Sequence, residues 1–254
     1  MTEPASPGTM SFLDHLAELR RRLIVCVIAI GVSFIICYAF SGPILNFLLK
    51  PLKENIFGGG EIVYINLTEP FLTYMKAAFF ASLFLASPVV FQQIWGFISP
   101  GLHVHERRWA LPFLIGGPLL FVAGAAFAYI LLLPMTARFM IKMGEGFKAA
   151  ITLRSAFSFE FYFLLGMGAV FQMPIVILIL ARMGIVTPRF LWKNFRWAIL
   201  IIFVLAAILT PTPDMVTQTV FAAPMVVLYL LGILLAMIAA PGSMRRSPKD
   251  GPKT

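Results

Sequence analysis

The sequence predicts an all-α polytopic membrane protein with six transmembrane helices, kinked spans, and short fifth and sixth helices. Three observations carry that expectation. Hydrophobic residues make up 60% of the 254 residues and charged residues only 12%, where a soluble domain has about 45–50% and about 25%. The mean hydropathy is +0.91. The apolar residues gather in six long runs, with most of the charge between them. This excludes an ordinary water-soluble globule, a disordered chain and a disulfide-rich secreted scaffold. Residues 1–240 read as one six-helix membrane domain. Residues 241–254 are rich in Pro, Ser and Lys and read as a disordered, basic cytoplasmic tail.

The first run, Leu23–Phe40, is uncharged and follows Arg20, Arg21 and Arg22. It is too long for most signal-peptide apolar cores, and Asp14 and Glu18 precede it, so it reads as a retained first span. The second run is Ala77–Ile98, with Pro88 inside. The third, Trp109–Leu133, is expected to stop at Pro134. The fourth, Phe161–Ala181, contains Gln172 and Pro174. The fifth, Trp197–Leu209, rises only about 20 Å, against about 30 Å of hydrocarbon. A bilayer-thinning hairpin or a re-entrant pair would accommodate it. The sixth, Met215–Ala240, contains Pro224 and follows the tight turn Thr210-Pro211-Thr212-Pro213-Asp214. Prolines within spans predict kinks.

The two long connecting segments carry structure of their own. Pro43–Lys50 has helical apolar spacing and reads as a helix at the interface, broken by Gly58-Gly59-Gly60. Ile62–Leu67 is a short β-branched stretch. Met135–Met143 is amphipathic and ends at Gly144. Six spans put both termini on one side. Thirteen Lys and Arg residues lie on that side and seven on the other, so the positive-inside rule makes it cytoplasmic. The formal charge of +9 is thus a topology and headgroup signal rather than a nucleic-acid footprint. Cys26 and Cys37 are 11 residues apart on one helix, about 16 Å along its axis, and cannot pair with each other.

Enzyme motifs fail one by one. There is no GxxxxGK[ST] loop and no GxSxG elbow. His105-Glu106 begins like HExxH, but Trp109 stands where the second His is required. No cofactor or metal is implied. What remains are polar groups at span ends and inside spans. Glu18 precedes the first span and Glu106 the third, with two spans between, so both carboxylates lie on one membrane side. Glu18 is explained either by an i,i+4 pair with Arg22 or as an anionic contact for a cationic ligand. Glu106 is explained either by the dipole of the following helix or by the same ligand. Two carboxylates suit two guanidinium groups, each bidentate. Gln172 lies about 16 Å into its run, near the midplane, where a buried amide seeks an interhelical partner. That partner is a group within the bundle or a partner helix, and Pro174 frees nearby carbonyls for either.

Phe12-Leu13-Asp14-His15-Leu16-Ala17-Glu18-Leu19-Arg20-Arg21-Arg22 resembles the N-terminal signature of the TatC family, core receptor of the twin-arginine protein translocase. The likeness continues in Gln93–Leu102 (QIWGFISPGL), His105-Glu106-Arg107, Phe171-Gln172-Met173-Pro174, Met183-Gly184-Ile185, and Leu209-Thr210-Pro211 with Asp214 and Gln218. The resemblance implies a glove-shaped six-helix bundle. It implies that Glu18 and Glu106 contact the arginine pair of signal peptides, with Phe97 in the same recognition region. It marks Pro51 and Asp214 as functionally sensitive, and Gln172 as standing where the family often has Glu. Thr212 lengthens the proline turn and loosens the alignment of Asp214. The implied partners are signal peptides of folded precursors, TatA- and TatB-type single-span subunits and further copies of the chain. The implied setting is the inner membrane, with transport driven by the proton-motive force. A small-solute secondary transporter is the alternative, but its usual inverted repeats and midplane charges are not evident.

Overall fold

The structure is a computed structural model that describes residues 12–55, 62–99, 110–144, 150–210 and 214–239. Among them it is almost entirely helical: α1 (Phe12–Ala39), α2 (Ser41–Asn55), α3 (Glu69–Ile98), α4 (Ala110–Phe127), α5 (Leu133–Met143), α6 (Leu153–Val170), α7 (Met173–Arg182), α8 (Pro188–Lys193), α9 (Phe195–Leu209) and α10 (Met215–Ala239). Five stretches are long and apolar enough to cross a membrane: His15–Ala39, Glu69–Ile98, Phe113–Met143, Leu153–Arg182 and Met215–Ile238. The shorter apolar Phe195–Leu209, fifth in chain order, completes the six. The expected six-run plan therefore holds, with the fifth helix short at 15 residues. The sixth runs to 25 residues, longer than its expected short length. The glycine break at 58–60 and the tail lie outside the described residues.

Helix boundaries depart from the apolar runs for local reasons. The first and second helices begin before their runs, at Phe12 and Glu69, because helical winding continues past the hydrocarbon into polar sequence. The fourth begins at Leu153, capped by Thr152, whose side chain accepts from the Ser155 N–H. The expected stop at Pro134 does not occur. Residues Ala128–Leu132 form a π-helical turn, and the Leu133 N–H bonds back to the Ala128 carbonyl. Pro134 then falls in the opening turn of α5, where an N–H is not required. The helix thus continues to Met143, and Gly144 closes it by donating to the Met140 and Ile141 carbonyls. Pro174 does interrupt its span, since Phe171 and Gln172 form a turn between α6 and α7. Pro88 and Pro224 sit inside continuous helices. The interfacial helix expected at Pro43–Lys50 forms as α2 and continues through Pro51, which is buried.

α1 packs along α3, α4 against α3 and α6, and α10 against α7 and α9. The main core joins α2, α3, the α4–α5 segment, α6 and α10 around Phe80, Leu133, Phe163, Met167, Phe221 and Met225. Phe163 and Phe221 meet edge to face with centroids 4.7 Å apart. α4 and α6 cross closely. A Cβ on Gly124 would stand 2.6 Å from the Met167 carbonyl oxygen, so the backbones approach as small residues allow. α1 leaves Leu23, Val27, Ile28 and Ile35 exposed, the face expected to meet lipid. α7 ends at Gly184, whose φ of +70° is the left-handed cap that lets the Ile185 N–H reach the Leu180 carbonyl. That geometry explains the glycine of Met183-Gly184-Ile185.

At the far end of α3, Val63 pairs with Thr152 in an isolated bridge. The Val63 N–H donates to Ile151 (3.2 Å) and the Leu153 N–H to Val63 (2.8 Å). Glu69, 7% exposed, clasps the same joint. Its Oε1 accepts from the Arg154 N–H (2.7 Å) and its Oε2 from the Ile65 N–H (3.1 Å). The β-branched stretch at 62–67 is thus an ordered strap tied to the start of α6.

Candidate functional site

Glu18 lies on α1 where it meets the C-terminal end of α3. Arg22, four residues on, donates from Nε (3.0 Å) and Nη2 (2.5 Å) to the same carboxylate oxygen, Oε1. The pair expected from the spacing therefore forms. Glu18 Oε2 is buried and accepts no hydrogen bond from the described residues. Arg22 fits because residue 96 is glycine: a Cβ there would stand 1.9 Å from its Nη1. His15, one turn before Glu18, stacks on Phe97 with ring centroids 4.4 Å apart and planes 21° apart. Both elements of this corner are helical, so their side chains are placed by regular winding and not by loops.

His15 and Phe97 form the mouth of a groove of about 540 Å³ that runs along Ile94, Phe113 and Ile175 to Gln172. Phe113 and Ile175 of its lining also pack with Trp95 in a small separate cluster. Gln172 stands at the turn between α6 and α7. Its Nε2 donates to the Gly117 carbonyl on α4 (3.1 Å), and its Oε1 is buried without a hydrogen-bond partner among the described residues. The internal bond and an open acceptor thus coexist. Pro174, fully buried, holds the turn. The groove offers an apolar trough with a carboxylate near one end and an amide at the other. That arrangement suits an extended or helical peptide with a cationic and an apolar part.

The other predicted residues are placed elsewhere or not described. Glu106 lies outside the described residues. Pro51 belongs to α2 and is not on the groove. Asp214 caps α10, its Oδ1 accepting from the Thr217 N–H (2.7 Å), while Gln218 Nε2 donates to the Phe203 carbonyl (2.9 Å) and ties α10 to α9. Cys26 and Cys37 are free thiols.

Sequence reading missed Glu160. It sits in α6, 1% exposed, and neither carboxylate oxygen has a hydrogen-bond partner among the described residues. Thr136 Oγ1 on α5 is likewise buried and unbonded. The apolar pattern starts the fourth run at Phe161, one residue after Glu160, and so leaves the acid outside it, whereas the helix begins at Leu153. A lone carboxylate within SAFSFEFYF was the available signal, because intramembrane acids are rare and seldom incidental.

The helical bundle, with its long apolar helices and the exposed apolar face of α1, defines a class: a polytopic helical membrane protein with an apolar groove. The comparisons narrow this to one family. The family model for TatC, Sec-independent protein translocase protein (TatC), matches residues 14–224. A relative named Sec-independent protein translocase protein TatC from Koribacter versatilis is 43% identical over 240 residues, covering 93% of this chain and 89% of that protein. The protein of the same name from Escherichia coli K12 is 35% identical over 229 residues, covering 90% and 88%. A crystal structure described as twin arginine translocase receptor TatC aligns with a TM-score of 0.76 at 35% identity, covering 89% of this chain and 99% of that one. The chain belongs to the TatC family. It is a non-enzymatic membrane component of the twin-arginine protein translocase.

Proposed function

We propose that the chain is the translocase subunit that receives twin-arginine signal peptides. Glu18 and Glu106 hold the arginine pair, Phe97 borders it, and the signal's apolar stretch lies in the groove towards Gln172. The observation that carries this reading is the shared groove: Phe97 and Gln172, singled out separately in the sequence, line one trough with His15, one helical turn before Glu18. Gln172 and Pro174 serve as the intramembrane contact for a single-span TatA- or TatB-type helix, with Pro51 and Asp214 as positioning residues. Export draws on the proton-motive force, and several copies of the chain act together. Both termini lie in the cytoplasm and the bundle in the inner membrane, as the basic-residue distribution favours.

Site-specific photocrosslinking from Phe97 to a twin-arginine precursor in membranes tests this. The expected result is a strong crosslink that falls when the arginine pair becomes lysines, because lysine cannot make the bidentate contact. Glu106→Ala should weaken binding of the arginine signal far more than of the lysine signal. Equal weakening of both would remove the direct-pairing role.

A further inference from the structure

A second groove, of about 450 Å³, lies between α8 and α10, away from the recognition corner. Pro188, Arg189, Trp192 and Lys193 form one wall, and Ile233 and Met237 the other. Two cations and an indole thus face two aliphatic side chains. The groove is built on a fixed frame. Pro188 and Leu191 are buried under α8. Tyr229 on α10 donates to the Leu191 carbonyl (3.0 Å), and Thr187 caps α8 by accepting from the Phe190 N–H (3.2 Å). Arg189 and Lys193 are exposed. Among the described residues neither Arg189 nor Lys193 is in an ion pair, so neither cation of the groove is neutralised there. Trp192 is 63% exposed. Arg189 and Lys193 belong to the most basic connection of the chain, a feature that topology alone absorbed in the sequence.

We infer that this groove binds an anionic phospholipid. The phosphate sits between Arg189 and Lys193, and an acyl chain runs along Ile233 and Met237. Arginine offers a phosphate two parallel donors and lysine a point charge. Basic pockets between transmembrane helices recognise anionic headgroups in this way. The indole of Trp192 occupies the boundary between the polar and apolar parts of the lipid. A free anion would satisfy the cations but leave the aliphatic wall facing water. A zwitterionic lipid would bring its own ammonium against Arg189 and Lys193. Charge complementarity and the apolar wall together select phosphatidylglycerol-type lipid over both.

Native mass spectrometry of the full chain in mild detergent, incubated with equal amounts of phosphatidylglycerol and phosphatidylcholine, tests the assignment. Phosphatidylglycerol should be retained in preference. Arg189→Gln with Lys193→Gln should lower that retention by about thirtyfold, from about 1 kcal/mol for each of two basic side chains near an anionic surface. Lys53→Gln with Lys142→Gln removes the same charge from exposed sites on α2 and α5 and should leave retention unchanged. Met237→Gln should reduce it without altering charge. Equal loss in both charge pairs would overturn the site in favour of general surface attraction. Equal retention of the two lipids, or full displacement by millimolar inorganic phosphate, would also overturn it.

Discussion

The two ends of α3 treat a neighbouring carboxylate in opposite ways. They are separated by 28 residues from Glu69 to Phe97, about 42 Å of helix. At the first end, Glu69 spends both oxygens on backbone N–H groups, one of Ile65 four residues before it and one of the distant Arg154. At the second, Glu18 gives one oxygen to Arg22 of its own helix and keeps the other buried and unbonded. A carboxylate whose oxygens are all engaged by backbone is a joint. One with an oxygen left unbonded among the described residues is the one proposed above to receive a ligand. The difference teaches that exposure alone does not sort the two, since neither is fully exposed. The disposition of the oxygens does.

Breaking the joint should have the largest effect. Glu69→Ala leaves two N–H groups without acceptors and frees the strap from α6. Hydrogen bonds to a charged group are individually strong, so an apparent Tm loss of about 8 °C is expected in detergent. Glu69→Gln, which keeps one acceptor oxygen, should lose about half as much. If Glu69→Ala melts like the parent chain, the clasp is not the joint it is taken to be.

Glu160 sharpens the comparison from a third side, because it engages nothing in a nearly inaccessible place. Burying an unsatisfied polar group costs about 1–3 kcal/mol. Glu160→Leu should therefore raise the apparent Tm, by about 5 °C. Glu160→Lys should prevent accumulation of folded protein. A lower Tm for Glu160→Leu would mean that the carboxyl has a stabilising partner in the assembled protein.

These contrasts also mark what the sequence made legible. The six-run plan was readable because a helix in lipid must be apolar over its whole crossing. The fifth helix was short in the sequence and is short in the structure. Helix starts were less readable, since Phe12–Leu19 and Glu69–Lys76 are helical but polar in part. The stop at Pro134 failed because a π turn hides a proline's missing donor. At the site, the pairing of Glu18 with Arg22 was readable because i,i+4 neighbours meet on any helix. The groove was not, because Phe97 and Gln172 share it only through packing between elements distant in sequence. The Glu69 clasp was unreadable for the same reason: 85 residues separate Glu69 from Arg154.

The available carboxylate should behave unlike the joint. Glu18→Gln keeps the shape and a hydrogen-bonding oxygen for Arg22 and removes the charge. An isolated i,i+4 pair contributes about 0.2–0.5 kcal/mol, so the apparent Tm should move by less than about 2 °C. Binding of a twin-arginine peptide should fall by about tenfold, the loss expected for one charge-assisted contact. A large Tm loss with unchanged peptide binding would assign Glu18 to the frame instead.

The smallest effect is expected from Gly96→Ala, which tests how firmly Arg22 holds Glu18. The added methyl would occupy the space of the Arg22 guanidinium, with Nη1 1.9 Å from the new Cβ. The obstacle is the far end of a flexible side chain, which can swing aside at little cost. The apparent Tm should therefore fall by only about 1 °C. Swinging Arg22 away also releases Oε1, leaving both Glu18 oxygens open to an incoming guanidinium. A bidentate contact needs both. Twin-arginine peptide affinity measured by titration should consequently rise slightly, by about twofold, and Arg22→Gln should reproduce the gain. If both variants weaken the peptide instead, Arg22 is part of the surface that receives it, and the internal pair orients Glu18 rather than competing for it.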